Sequence, residues 1–381
     1  MTSTDDTRYM ALALQLADLG RYSTHPNPRV GCVVVRDGEV VGQGWHEYAG
    51  GPHAEINALN EAAELARGAT VYVTLEPCSH QGKTPPCADA LIRAGVARVV
   101  VACADPNPEV AGQGLERLSS AGIETCSGVL ETQARALNPG FLRVMAGGRP
   151  WVRVKMAASL DGRTAMASGE SQWITGAEAR SDVQRLRARS SAIVTGIGTA
   201  LADDPALTVR PSEMGELEHH EKPVTQPLRV VLDAGLRLPP AARIVSGPGR
   251  CVVMTLDQPG RESMMAALEQ AGARVVALPA SPGDPSRLDL AAVMDWLGSN
   301  DCREILIEAG PGLAGAVMAA ELVDEFWLYQ APTLLGSNAR PMLELPLQKM
   351  AEQHRLEVMD RRVVGADQRL ILRPAPQYSQ H

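Results

Sequence analysis

Short apolar runs alternating with helical stretches constrain this chain more than any other feature, because strands buried on both faces must be covered by helices. The alternation comes in two series. In the first, apolar spacing predicts an amphipathic helix over 9–19 and strands over 30–35 and 40–45, joined by an Asp37-Gly38 turn. A helix over 53–66, a strand over 69–75, a helix over 88–94 and a strand over 96–102 follow. Gly147-Gly148-Arg149-Pro150 reads as a linker. Beyond it, strand-like runs recur at 151–157, 192–196, 228–232, 251–256, 274–278 and 304–308. The expectation is a two-domain α/β chain, 1–147 and 151–381, and 381 residues suffice for two cores.

The formal net charge of -8 argues against a nucleic-acid partner, since phosphate binding needs a surplus of Lys and Arg on one face. Seven cysteines, an odd number spread widely, do not read as a disulfide framework, so a reducing cytoplasm is expected. The first residues are acidic and then helical in pattern, unlike a signal peptide, and no apolar run reaches the roughly 20 residues of a membrane span. Residues 211–227 form a polar excursion in which His219 and His220 read as solvated.

Within the first series, PHAEIN (52–57) is followed by TLEPCSHQGKTPPC (74–87). His53, Cys78 and Cys87 supply three N/S ligands for zinc, leaving a tetrahedral ion one open position for a water of lowered pKa. Residues two apart diverge in mid-helix, so His53 and Glu55 serve one site only from a first helical turn, and Pro52 stands where that requires. Pro77 is expected to place Cys78 at the start of a turn or helix, where backbone N–H groups favour a thiolate. A structural zinc would want a fourth protein ligand, for which His80 is the local candidate. Cys32, Cys103, Cys251 and Cys302 are assigned to packing, and Cys126 to no role. H-x-E followed by P-C is the signature of zinc deaminases, in which the unliganded Glu moves protons, although their two cysteines are separated by two residues and these by eight.

HPNPRVGCVV (25–34), GWHEYAGGPHAEINAL (44–59) and YVTLEPCSHQGKTPPCADALI (72–92) closely resemble the deaminase half of the bifunctional riboflavin-biosynthesis deaminase/reductases, which carry the same eight-residue gap. The resemblance implies a cytidine-deaminase-like α/β/α domain with zinc on His53, Cys78 and Cys87 and with Glu55 as proton shuttle. It puts Asn27, His46 and Lys83 around the pyrimidine and ribose phosphate.

IEAGPGLAGAV (307–317) contains G-x-G-x-x-G at Gly310, Gly312 and Gly315. It comes late in its series, and Gln330 stands where a Rossmann unit would want an acid. A helix start of small residues suits a pyrophosphate, and it suits tight packing equally. KMAASLDGRTA (155–165), SGESQWITG (168–176) and TGIGTALADDPALTVR (195–210) resemble the reductase half of the same family, similar in fold to dihydrofolate reductase. That resemblance implies NADPH against Ala157, Trp173, Thr199, Asp203, Gly310, Pro311, Gly312, Leu313, Ala314, Gly315 and Ala316. It implies substrate against Ser171, Arg187, Leu207, Arg210 and Glu308, the two arginines forking the sugar phosphate.

The expected protein is a cytoplasmic, homo-oligomeric enzyme that deaminates a diaminopyrimidinone ribosylamine phosphate and then reduces its ribosyl group. Rival readings are a deaminase of a nucleoside or tRNA base, and a zinc-stabilised binding protein whose glycine-rich loop merely packs.

Overall fold

The computed structural model describes residues 4–79, 85–107, 111–215 and 224–375, so His80, Lys83, His219 and His220 lie outside the described residues. The chain divides into two compact units, the first built on Met1–Arg149 and the second on residues from Pro150 onward.

The first unit orders its elements as α1 (Thr4–Leu19), β1 (Gly31–Arg36), β2 (Glu39–Trp45), α2 (Ala54–Ala62), β3 (Thr70–Val73), α3 (Cys87–Ala94), β4 (Arg98–Val101), α4 (Gln113–Ser120) and β5 (Glu124–Ser127). They form one sheet in the order β2-β1-β3-β4-β5. β1 runs antiparallel to β2 and β3, and β3, β4 and β5 are mutually parallel. Asp37 and Gly38 both have positive φ, 52° and 83°, as a two-residue hairpin turn requires. Alternate residues of β3 go to opposite layers. Val71 and Val73 pack with Ala54, Ala58 and Ala62 of α2, while Tyr72 packs with Tyr9, Met10 and Ala13 of α1.

Two local devices place the ends of these elements. A Cβ at Gly42 or Gly44 would fall 2.3 or 2.5 Å from the backbone of Ala58, so their bare backbones let α2 lie directly on β2. Downstream of β3, the buried carboxylate of Glu76 accepts N–H groups from Asp105 and Gly112 at 3.1 Å each, Gly114 at 3.0 Å and Leu115 at 3.4 Å. It ties the approach to α4 to the residue that precedes Pro77 and Cys78.

The second unit contains β6 (Trp151–Ser159), α5 (Ala177–Ala188), β7 (Ala192–Gly196), α6 (Ile197–Asp203), β8 (Leu228–Leu232), β9 (Cys251–Leu256), β10 (Ala273–Leu278), β11 (Glu304–Glu308), α7 (Pro311–Ala319), β12 (Glu325–Ala331), β13 (Leu356–Val364) and β14 (Asp367–Pro374). Their sheet has nine strands in the order β10-β9-β8-β7-β11-β6-β12-β14-β13. The strands from β10 to β12 are parallel, β14 runs antiparallel to β12, and the edge strand β13 runs antiparallel to β14. Both faces are covered: Ile305 and Ile307 of β11 join one apolar cluster and Leu306 the other.

Arg153, at the centre of this sheet, is 1% exposed. Its Nη1 donates to Glu304 at 2.6 Å and its Nε to Glu325 at 2.9 Å. Glu325 also accepts from the Trp327 indole at 3.1 Å and from Arg373 at 3.0 Å. Burial pushes the Glu325 carboxyl up, but Arg153 and these donors outweigh it and hold it at about 2. Removing the guanidinium leaves two buried carboxylates short of their counter-charge. Arg153→Ala is therefore expected to cost about 3–5 kcal/mol in urea denaturation of the full chain. Because the folded pKa of Glu325 lies below the ordinary value of about 4.3, its contribution is complete above that pH and is lost as pH falls toward the folded value. Urea midpoints of wild type and Glu325→Gln measured against pH should converge only below about pH 4.3; a constant difference from pH 7 to pH 3 contradicts this.

Candidate active sites

In the first unit, two helix starts converge with the segment after β3. His53 is the N-cap of α2 with extended backbone, and Cys87 is the first residue of α3. The His53 Nδ1 lies 3.2 Å from the Cys87 Sγ and 3.7 Å from the Cys78 Sγ, and the three ligand atoms fall within 4.8 Å of one another. Zinc bonds of 2.0–2.3 Å at tetrahedral angles separate ligand atoms by about 3.5 Å, so the donor set fits zinc in chemistry and spacing. The expectation for Cys78 needs correction. It sits in irregular chain rather than at a helix start, and the second helix entrance belongs to Cys87. The helix start still serves Cys78, whose sulfur accepts the Cys87 N–H at 3.3 Å. With no metal bound, the Cys87 thiol, opposed by burial and helped by His53, brings Cys78 down to about 4, and the same contact pushes Cys87 up.

Glu55, in the first turn of α2, is 3% exposed. Burial raises its carboxyl to about 7 against the pull of His53, and a divalent cation alongside would restore the carboxylate. His46 and Asn27 sit together: the His46 Nδ1 is 2.9 Å from the Pro52 carbonyl and its Nε2 is 3.1 Å from the Asn27 Nδ2. A carbonyl only accepts, so Nδ1 carries the proton. Burial lowers the His46 pKa and keeps the ring neutral, so Nε2 accepts from the Asn27 amide. The Asn27 Oδ1 is thereby free to face a ligand. The His46 and His53 rings meet edge-on, with centroids 5.7 Å apart.

The second unit holds a cavity of about 1740 Å³, larger than the roughly 300–1,000 Å³ of a small-ligand pocket. It brings together Ala157, Ser171, Trp173, Arg187, Thr199, Asp203, Leu207, Arg210, Glu308, Gly310, Pro311, Gly312, Leu313 and Ala316. Ala314 and Gly315 are buried and do not line it. A Cβ at Gly315 would fall 2.2 Å from the Glu344 carbonyl, so this glycine serves close packing. Gly310 is the N-cap of α7, and its N–H donates to the Thr199 hydroxyl at 3.0 Å.

Arg187 and Glu308 form a bidentate pair, Nε to Oε1 at 2.6 Å and Nη2 to Oε2 at 3.0 Å. Burial pushes the Glu308 carboxyl up, and Arg187 outweighs it, with Lys155 adding to the pull. Arg210 pairs with Glu213 at 2.6 Å at the exposed rim. The two arginines expected to fork a phosphate are thus each held by a carboxylate. Lys155 was not among the expected site residues. It lines the cavity from β6, opposite Glu308 in register, and burial lowers its pKa, Glu308 opposing and Arg187 reinforcing. Its sequence signal is a lone ammonium in an otherwise apolar stretch, Val154 to Ala158.

Residues 3–103 match the family model for the cytidine and deoxycytidylate deaminase zinc-binding region, and residues 150–368 match that for the RibD C-terminal domain. The riboflavin biosynthesis protein RibD of Escherichia coli is 52% identical over 95% of this chain and 97% of its own length. The RibD of Haemophilus influenzae is 45% identical over 98% of each chain. Among solved structures, Acinetobacter baumannii RibD superposes with a TM-score of 0.89 at 46% identity, covering 98% of this chain and 99% of its own. A diaminohydroxyphosphoribosylaminopyrimidine deaminase/5-amino-6-(5-phosphoribosylamino)uracil reductase from Thermotoga maritima superposes with a TM-score of 0.83 at 31% identity, covering 97% and 99%. The first unit is accordingly a cytidine-deaminase-like α/β/α domain and the second a dihydrofolate-reductase-like α/β domain. With three convergent ligands in one unit and a dinucleotide-sized cavity in the other, the chain belongs to the RibD family of bifunctional riboflavin-biosynthesis deaminases/reductases.

Proposed function

We propose that the first unit deaminates 2,5-diamino-6-(5-phosphoribosylamino)pyrimidin-4-one at the His53, Cys78 and Cys87 centre. The second unit then reduces the ribosyl group of that product to a ribityl chain, giving 5-amino-6-(5-phosphoribitylamino)uracil. Deamination is zinc-dependent and reduction NADPH-dependent, and both belong to riboflavin synthesis. The observation that carries the reading is the placement of Glu55, buried and outside the ligand set, in the first turn of the helix that His53 caps.

His53, Cys78 and Cys87 would hold zinc, which would supply the Lewis acidity that makes water nucleophilic near neutral pH. Glu55 takes the proton released as water adds to the amino-bearing ring carbon and passes it to the departing ammonia. Asn27, oriented by His46, and Lys83 bind the pyrimidine and its ribose phosphate.

In the second unit NADPH would supply a hydride to C1 of the ring-opened ribosyl imine, whose nitrogen takes up a proton. Gly310, Pro311, Gly312, Leu313 and Ala316 would hold the cofactor together with Ala157, Trp173, Thr199 and Asp203, with Ala314 and Gly315 packed behind them. Ser171, Leu207, Arg210 and the Arg187–Glu308 pair hold the sugar phosphate. Lys155, its proton loosened by burial, stands beside them at the reacting end of the cavity.

We place the enzyme in the cytoplasm, as a homo-oligomer acting without nucleic acid and with domains at 1–147 and 151–381. All seven cysteines are free, and the net charge is negative. No helix of the described residues is long and apolar enough to cross a membrane. The exposed Val358, Met359 and Val363 on edge strand β13 offer apolar area to a second copy.

Glu55→Gln is expected to lower ammonia release by about 10²–10⁴-fold while the full chain still oxidises NADPH with pre-formed deaminated substrate. Loss of both activities in a folded variant overturns the division of labour. Chelation of zinc should likewise abolish ammonia release, spare NADPH oxidation, and be reversed by adding zinc back.

A further inference from the structure

We propose that Asn138 is a positioning residue for substrate binding in the first unit, holding the loop that carries Asn27 so that the Asn27 amide meets the pyrimidine. The assignment rests on reading Asn27 as a substrate contact and names what keeps it in place.

The loop between α1 and β1 has little means of holding itself. Asn27 stands between Pro26 and Pro28, neither of which has an N–H to donate. Its own N–H donates to the Thr24 carbonyl at 2.8 Å, a turn within the same loop. Past the loop, the Val30 carbonyl accepts the His46 N–H at 2.9 Å and the Gly31 N–H donates to the Thr74 hydroxyl at 3.1 Å, which docks the start of β1. Arg29 lies between these two regions and is buried, so both of its backbone polar groups need partners.

Asn138 supplies both. Its Oδ1 accepts the Arg29 N–H and its Nδ2 donates to the Arg29 carbonyl, each at 2.8 Å and across 109 positions of chain. The adjacent Leu137 carbonyl accepts from the Arg29 Nη1, and the Arg29 Nη2 lies 3.2 Å from the His25 Nε2. A guanidinium only donates, so that imidazole nitrogen accepts. Residues 137 and 138 thus grip Arg29 by backbone and side chain, and through it His25, so both flanks of the Pro-Asn-Pro run are held.

The grip comes from a fixed place. Asn138 joins two short helices, Glu131–Leu137 and Pro139–Met145. Its N–H donates to the Arg135 carbonyl at 3.2 Å and its carbonyl accepts the Leu142 N–H at 3.0 Å. Ala134 and Leu142 pack into the apolar cluster of Met10, Ala13 and Val33. An asparagine in front of a helix ordinarily turns its side chain to that helix's own N–H groups. This one is buried and makes no such bond, its amide being committed to Arg29 instead. On the other side, the Asn27 Nδ2 meets the His46 Nε2 at 3.1 Å, and the His46 Nδ1 lies 2.9 Å from the carbonyl of Pro52, next to His53. Asn27 is therefore where a brace from residue 138 and a brace from the His53 side meet, and loss of either brace displaces its Oδ1.

The test is steady-state deamination by full-length wild type, N138A, N27A and the double variant, with zinc content measured by elemental analysis and stability by urea denaturation. N138A is expected to raise the KM for the pyrimidine about 10-fold, leave kcat within about twofold and keep its zinc. In the N27A background the same change should add less than about twofold, because the group it positions is gone. If N138A loses its zinc, N138D, which keeps an acceptor for the Arg29 N–H, carries the same cycle. KM increases that multiply in the double variant overturn the assignment, as does a lowered urea midpoint with KM unchanged. If N27A alone leaves KM unchanged, the reading of Asn27 as a substrate contact fails and the assignment falls with it.

Discussion

Both sheets are covered on both faces, and that constraint decides where chemistry can sit. A parallel strand between two helical layers has no wet face, so polar and ionisable groups collect where strands end and helices begin. The first unit places His53 and Cys87 at two helix starts, with Cys78 on the segment leaving β3. The second places Lys155, Glu308, Gly310 and Gly235 along the carboxyl ends of neighbouring strands. The same backbone N–H groups that lack partners at a helix start stabilise a thiolate in one unit and suit a diphosphate in the other.

Burial alone does not mark a functional charge; the completeness of its partnering does. Arg153 is almost wholly buried, yet two glutamates meet it and Trp327 and Arg373 complete the cluster, so it acts on stability. Glu76 is buried too, and four backbone N–H groups saturate it. Glu55 is buried and Lys155 half-buried, each with its charge only partly compensated, which shifts both toward losing it, Glu55 by taking up a proton and Lys155 by giving one away. Those are the groups suited to moving protons.

Legibility in the sequence followed how local each signal was. β1, β2, β7, β8, β9 and β11 could be read from apolar runs because each is buried almost throughout, or alternates beside a clear turn. β5 was missed because ETCS is half exposed and has no apolar run. β13 was missed because LEVMDRRVV lies at a sheet edge with most of its side chains in solvent. Lys155 was missed because a lone lysine in a strand acquires meaning only when Glu308 appears beside it in register.

By itself the sequence determined the candidate ligand types, the glutamate two residues beyond His53 and the two α/β series, since each depends on residue identity at short spacing. The family blocks added the chemistry that short spacing cannot carry. Tertiary structure decided which helix starts meet, that Cys87 rather than Cys78 opens a helix, and that Arg187 and Arg210 are already paired with carboxylates. The physical reason is that these properties belong to pairs of residues tens or hundreds of positions apart, and burial or partnering exists only once the chain has brought them together.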